Sequence, residues 1–118
     1  MMTNPPSAKD ELFTWLRHMN KYKGSDLFIT TNFPPAMKVD GKITPITDEP
    51  LTSEKCMEIA FSIMSTKQIE EFSSTNECNF AISLPDTSRF RVNAMVQRGA
   101  TALVFRSITS KIPNFDSL

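Results

Sequence analysis

The sequence predicts one α+β domain, in which an antiparallel sheet of about six strands carries helices on one face in a PAS-like arrangement. The 118 residues have the size of one domain, and 40% of them are apolar. Helical periodicity occurs near the N-terminus and again in the middle, whereas the last third alternates as strands do. We assign residues 7–110 to this domain, residues 1–6 to a disordered leader and residues 111–118 to the start of a linker.

The first element is a predicted helix. Ser7 is a suitable N-cap residue, because its hydroxyl can accept a hydrogen bond from a backbone N–H of the first turn. Apolar residues then recur at intervals of three and four and form one stripe: Leu12, Trp15, Leu16 and Met19. Gly24 is the predicted stop signal after this helix.

Three short strands are predicted next, over residues 25–30, 36–40 and 42–46. The pair Asp40-Gly41 is a strong hairpin signal, since both residue types accept the left-handed backbone of a tight turn. Pro45 has no N–H for a ladder and indicates that the third strand has a free edge or ends there. Three apolar residues are expected to share the buried face of this hairpin: Met37, Val39 and Ile43.

Two helices are predicted in the middle of the chain. Thr52 or Ser53 caps the first helix, whose apolar stripe is Cys56, Ile59, Ala60 and Ile63. Ser65 and Gln68 match a capping box, so a second helix starts there. This short helix carries Ile69 and Phe72, and we expect a loop over residues 73–76.

The last third predicts three strands, in which apolar and polar residues alternate. The first strand has apolar residues at every second position: Cys78, Phe80, Ile82 and Leu84. In the second strand one face is apolar: Phe90, Val92, Ala94 and Val96. The third strand, residues 101–108, has apolar residues on both faces, which predicts a strand that is central or covered on both sides.

Composition and motifs exclude several classes of function. Thirteen basic residues balance thirteen acidic ones, which argues against a nucleic-acid binder. Two cysteines and one histidine cannot assemble a zinc site. No apolar run is long enough to span a membrane, and we expect no secretory signal. The sequence contains no Gly-rich phosphate loop or hydrolase motif, so no catalytic or metal-binding residue is assigned in this chain.

Basic side chains on the last two strands are the candidate binding residues. Arg89 and Arg91 lie on the polar face of one strand, and Arg106 lies among apolar residues on the next. A guanidinium group in such surroundings needs a negative partner, because an unpaired buried charge is costly. That partner is either an acid of the domain, such as Asp26 or Glu77, or a phosphate from outside, whose oxygens match the guanidinium donors.

Several short runs together resemble the N-terminal domain of type IV pilus retraction ATPases of the PilT/PilU family. The similar runs extend along most of the chain: residues 25–27, Pro34-Pro35, residues 39–41, Pro50-Leu51, residues 89–94, 97–99 and 104–106, and Ile112-Pro113. Phe28 stands where PilT proteins usually have histidine, and residues 77–83 also look like the PilU branch. The resemblance is therefore nearer to PilU than to PilT.

The resemblance implies a hexameric, cytoplasmic ATPase at the inner-membrane base of a pilus, which powers pilus retraction and twitching motility. ATP with magnesium would bind between the N-terminal domain and a RecA-like motor domain that follows the linker. The implied partners are that motor domain, neighbouring subunits of a homo-hexamer, PilT and the inner-membrane platform protein. Neither a nucleic-acid partner nor direct insertion into the membrane is expected.

The resemblance also implies a role for the arginines. Arg91 and Arg106 match positions that approach the terminal phosphates of the nucleotide, and Arg89 is a weaker candidate. Because these 118 residues contain no Walker motif, we expect the chain alone to hydrolyse no ATP. The main alternative is a free-standing PAS-like ligand-sensing or protein-interaction domain. A second alternative is the N-terminal domain of another secretion or pilus-extension ATPase.

Overall fold

A computed structural model describes residues 7–108 of the chain. The elements follow one another in this order: α1 (Ala8–Lys21), β1 (Asp26–Thr30), β2 (Ala36–Val39), β3 (Lys42–Pro45), α2 (Ser53–Ile63), α3 (Thr66–Thr75), β4 (Glu77–Ser83), β5 (Arg89–Gln97) and β6 (Ala100–Ile108). The predicted leader, residues 1–6, and the predicted linker, residues 111–118, lie outside the described residues.

The six strands form one antiparallel sheet in the order β3-β2-β1-β6-β5-β4. The C-terminal strand β6 lies between β1 and β5, which confirms the prediction that the last strand is central. The α+β class and the six-stranded sheet are likewise confirmed. The insertion of β6 between β1 and β5 brings residues near the start and the end of the domain into direct contact.

The hydrophobic core lies between the helices and one face of the sheet. By strand register, the buried apolar strand residues all project to that face: Leu27, Ile29, Met37, Cys78, Phe90, Val92, Ala94, Leu103 and Phe105. The predicted stripe of α1 is buried against them. Burial of each large side chain stabilises the fold by roughly 1.5–3 kcal/mol. The opposite face of the sheet is left without a helical cover in the described residues.

The start of α1 was predicted correctly, but the role of Gly24 was not. The Ser7 hydroxyl accepts from the Asp10 N–H at 3.1 Å. At the other end Lys23, not glycine, adopts the left-handed conformation, with φ of 57°. Gly24 donates to the Met19 carbonyl at 2.8 Å, and a Cβ there would lie 2.6 Å from the Met19 Cγ. Gly24 is therefore required for close packing. Lys23 occupies the left-handed position just after the helix, which glycine usually takes at helix C-termini.

The predicted hairpin is present. Asp40 has φ of 49° and Gly41 has φ of 78°, and a two-residue type I′ turn requires positive φ at both residues. The prediction that Ile43 is buried beside Met37 is wrong, because Ile43 is 65% exposed. In the register of the hairpin Ile43 lies opposite Lys38, which projects to the other face from Met37. Strand β3 forms one edge of the sheet, as Pro45 indicated.

Local signals located the two middle helices. The Thr52 hydroxyl caps α2 by accepting from the Lys55 N–H at 3.1 Å. The capping box of α3 is complete, with both the Ser65 and the Gln68 side chains bonded to backbone N–H groups. The predicted loop over residues 73–76 is wrong, because α3 continues to Thr75. Asn76 ends it with φ of 63°, and its N–H donates to the Phe72 carbonyl.

Candidate phosphate-binding site

The sheet face opposite the helices carries the predicted site, and we call it the open face. Its central part is formed by alternate residues of the neighbouring strands β6 and β5: Val104, Arg106, Arg91 and Asn93. These side chains project away from the core because their sequence neighbours, such as Phe105 and Val92, project into it. The alternation that builds the core therefore also aligns the polar site.

Arg91 and Arg106 are directly opposite each other in the register of β5 and β6. Cross-strand partners have Cβ atoms about 5 Å apart, so the two side chains leave the sheet side by side. Like charges in this relationship disfavour the fold. An anion bound between the two guanidinium groups would remove that repulsion and gain charge-assisted hydrogen bonds.

Arg106 is less enclosed than the sequence indicated. Its side chain is 71% exposed, so the prediction of a guanidinium enclosed among apolar neighbours is wrong. Of the two acids considered as internal partners, Asp26 lies next to it, with Oδ1 3.6 Å from the Arg106 Nε. Glu77 is instead aligned with Met95, two strands away, and forms no ion pair in the described part of the chain.

Arg91 has no ion pair within residues 7–108, and its side chain is exposed. Arg89 is also exposed on the open face, but at the end of the sheet, between Ser83 and Ile108. It does not line the groove around the other two arginines. The structure thus brings Arg91 and Arg106 together and leaves Arg89 at the margin.

The two arginines border an open groove of about 760 Å³ on this face. Asn79 and Asn93, which are cross-strand partners, line the groove beside them. The Asn93 Oδ1 is buried and has no hydrogen-bond partner within the described residues. Sequence reasoning did not assign either asparagine to the site, although Asn93 alternates in phase with Arg91 on the same strand. The groove offers phosphate donors at one end and amide groups at the other.

A second cavity, of about 480 Å³, lies between α1, the start of α2 and the segment that precedes α2. Three acids and one lysine line it: Glu11, Asp48, Glu49 and Lys55. Glu11 and Lys55 form an ion pair, which leaves two acids without a basic neighbour in the lining. Because acidic groups outnumber basic ones in its lining, this cavity suits a phosphate less well than the arginine groove does. Both cavities open to solvent, unlike the internal pocket that a PAS-like ligand sensor requires.

Other features of the described residues support no additional chemistry. None of the three helices combines the length and the hydropathy needed to cross a bilayer. Within residues 7–108, no group of three His, Cys, Asp or Glu residues is arranged as a metal site. Both cysteines are buried and free. Burial, with a further contribution from Glu71, raises the pKa of the Cys78 thiol to about 11.

Comparisons with known proteins find relatives of the chain, although no protein-family model matches it. The chain is 44% identical over 103 residues to the type IV pilus ATPase PilU of Pseudomonas aeruginosa, covering 87% of this chain. It is 35% identical over 98 residues to the type IV pilus retraction ATPase PilT of the same organism, covering 83%. The chain spans about a quarter of these relatives, 27% and 28% of their lengths.

Solved structures have the same fold. The crystal structure of the pilus retraction motor PilT with bound ADP superposes with a TM-score of 0.81 at 28% identity, over 91% of this chain and 32% of that one. The ATPase DotB of Legionella pneumophila superposes with a TM-score of 0.75 over 92% of this chain and 32% of that one. Its identity of 22% supports the fold alone.

Sheet order, helix placement and these matches define the N-terminal domain of a pilus-retraction type of ATPase. The chain belongs to the PilT/PilU family of type IV pilus ATPases. Its identity is higher to PilU than to PilT, in agreement with the sequence-based assignment to the PilU branch.

Proposed function

We propose that this domain senses the phosphates of ATP in a pilus retraction ATPase, with Arg91 and Arg106 as the sensing groups. The observation that carries the proposal is their cross-strand pairing on the open face. In the described residues the pair has one acidic partner, Asp26, at 3.6 Å. The pair therefore has the excess positive charge that a bound polyphosphate requires.

The two guanidinium groups would discriminate between nucleotide states by charge. They attract a triphosphate more strongly than a diphosphate, because the number of negative charges near them differs. Only a contact that differs between two states can shift the balance between them. Loss of the terminal phosphate would weaken the hold of Arg91 and Arg106, so the domain could rotate relative to the motor domain.

The amide groups of the groove complete the proposed site. The Asn93 Oδ1 needs a donor, since a buried acceptor without one destabilises the structure. That oxygen has almost no exposed surface, so the Asn93 side chain would have to rotate before a ribose hydroxyl or an exocyclic amine of the nucleotide could donate to it. Arg89, at the margin of the sheet, is a weaker candidate for a phosphate or for an acid of another domain.

The parent protein is proposed to be a hexameric ATPase in the cytoplasm, at the inner-membrane base of a pilus, and to drive retraction and twitching motility. Its RecA-like motor domain would supply the magnesium-bound ATP and the catalytic groups, because the 118 residues contain no phosphate loop. The chain alone would not hydrolyse ATP. Neighbouring subunits, PilT and the inner-membrane platform protein are the proposed partners. The names of the PilU and PilT relatives support the pilus-ATPase and retraction parts of this proposal.

The test replaces Arg91 or Arg106 by alanine in the parent ATPase and measures ATP turnover and twitching. Each variant is expected to lose at least about ten-fold in turnover at limiting ATP, since a charge-assisted hydrogen bond is worth roughly 1.5–3 kcal/mol. Arg17→Ala is the matched control, because Arg17 is exposed on α1, away from the open face. Unchanged turnover and twitching in both site variants would contradict the proposal.

A further inference from the structure

We propose that Asp26 is an internal counter-ion that competes with nucleotide phosphate for Arg106 and so lowers the affinity of the site. The inference rests on the proposed function of the arginine pair and adds a positioning residue to it. Asp26 on β1 and Arg106 on β6 are cross-strand partners, and Arg91 follows on β5 in the same row. Arg106 therefore lies between a carboxylate on one side and the proposed phosphate site on the other.

The burial of the two partners differs. The Asp26 side chain is 11% exposed, whereas that of Arg106 is 71% exposed. The carboxylate is thus largely enclosed, while the long guanidinium side chain extends into solvent and can reorient. An exchange of partners would be made by Arg106, with Asp26 remaining in place.

The contact between them is weak enough to exchange. The 3.6 Å between the Arg106 Nε and the Asp26 Oδ1 exceeds the usual length of an N–H···O hydrogen bond. An ion pair whose guanidinium group is largely exposed, at a distance this long, contributes little to stability in water. A phosphate, with more charge and with oxygens that fit the guanidinium fork, would therefore displace the carboxylate.

Displacement nevertheless has a cost that opposes nucleotide binding. A largely buried carboxylate loses a nearby positive charge when Arg106 turns toward phosphate. Lys38 lies on the other side of Asp26, in β2, but makes no ion pair with Asp26 among residues 7–108. Asp26 would thus attract Arg106 again when the phosphate dissociates, which returns the site to its nucleotide-free arrangement.

The test measures equilibrium binding of ADP and ATP to the parent ATPase carrying Asp26→Asn, with Asp26→Ser as a second variant if the first is unstable. Both are expected to bind each nucleotide about two- to five-fold more tightly, the range for loss of a weak competing ion pair whose cation is exposed. Glu77→Gln is the matched control: it removes one acid from the same face, away from Arg106, and should change affinity less.

The dependence on Arg106 separates this role from a general structural one. In an Arg106→Ala background the substitution of Asp26 should no longer tighten nucleotide binding, because the guanidinium group for which Asp26 and phosphate compete is absent. If Arg106→Ala weakens binding but the Asp26 variants do not tighten it, the counter-ion role is wrong and the proposed function stands. If Arg106→Ala binds nucleotide as the parent does, the proposed function itself is wrong.

Discussion

Arg91 on β5 and Arg106 on β6 are cross-strand neighbours, so two guanidinium groups project side by side from the uncovered face of the sheet. Such a like-charge pair does not help the domain to fold. The opposite face, with Phe90 and Phe105 fully buried, provides the stability. One face of these strands thus stabilises the fold, while the other carries the proposed binding site. The two roles can be tested separately.

The arginine pair should be dispensable for folding. Arg91→Ala is expected to change the free energy of unfolding of this chain by no more than about 0.5 kcal/mol, because the side chain is exposed and has no ion pair in the described residues. Phe105→Ala should instead cost about 3–5 kcal/mol. Urea unfolding measures both, and a large loss for Arg91→Ala would assign that residue a structural role.

The end of α1 offers a stabilising substitution. Lys23→Gly should raise the free energy of unfolding by about 0.5–1 kcal/mol, because Lys23 occupies the left-handed region that glycine tolerates best. Gly24→Ala should lower it, since the added Cβ would lie 2.6 Å from the Met19 Cγ and 3.2 Å from the Lys38 carbonyl oxygen. Thermal unfolding of the two variants should shift in opposite directions, and a gain for Gly24→Ala would contradict the packing described.

The capping box of α3 should be measurable in the same way. Ser65→Ala removes the acceptor for the Gln68 N–H and is expected to cost about 1 kcal/mol of unfolding free energy. Ser73→Ala, within the exposed part of the same helix, is the control and should change stability little. Equal effects of the two substitutions would show that the cap contributes nothing specific.

Stability should also depend on the Cys78 thiol at high pH. Its pKa rises from 9.0 to about 11 through burial and the proximity of Glu71, so the folded state keeps a proton that the unfolded state loses. The contribution of this shift to the free energy of unfolding is complete below pH 9.0 and is lost as pH rises toward 11. Chemical unfolding of the chain and of Cys78→Ala, with reductant, should give a stability difference that declines over this interval. A difference independent of pH would contradict the shift.

The sequence predicted what depends on local chemistry. The caps at Ser7, Thr52 and Ser65 and the turn at Asp40-Gly41 follow from hydrogen bonds and backbone preferences within a few residues. The face of β5 that carries Arg91 likewise follows from strand alternation alone.

Features set by strand pairing were harder to predict. Ile43 was assigned to the core from its apolar character, although the two-residue turn at Asp40-Gly41 fixes a register that places Ile43 opposite Lys38 and on the other face from Met37. The pairing of Asp26 with Arg106 joins residues 80 positions apart and follows only from the sheet order, although Asp26 was one of the two acids considered. Asn93 was missed because its orphaned acceptor becomes evident only when the neighbouring strands are in place.

The most direct test of the account compares the affinities of ATP and AMP for the parent ATPase and for its Arg91→Ala/Arg106→Ala variant. If the pair binds the phosphate tail, the double variant should lose at least about ten-fold in ATP affinity and much less in AMP affinity. Equal losses for both nucleotides, or no loss of ATP affinity, would contradict phosphate sensing by these two residues.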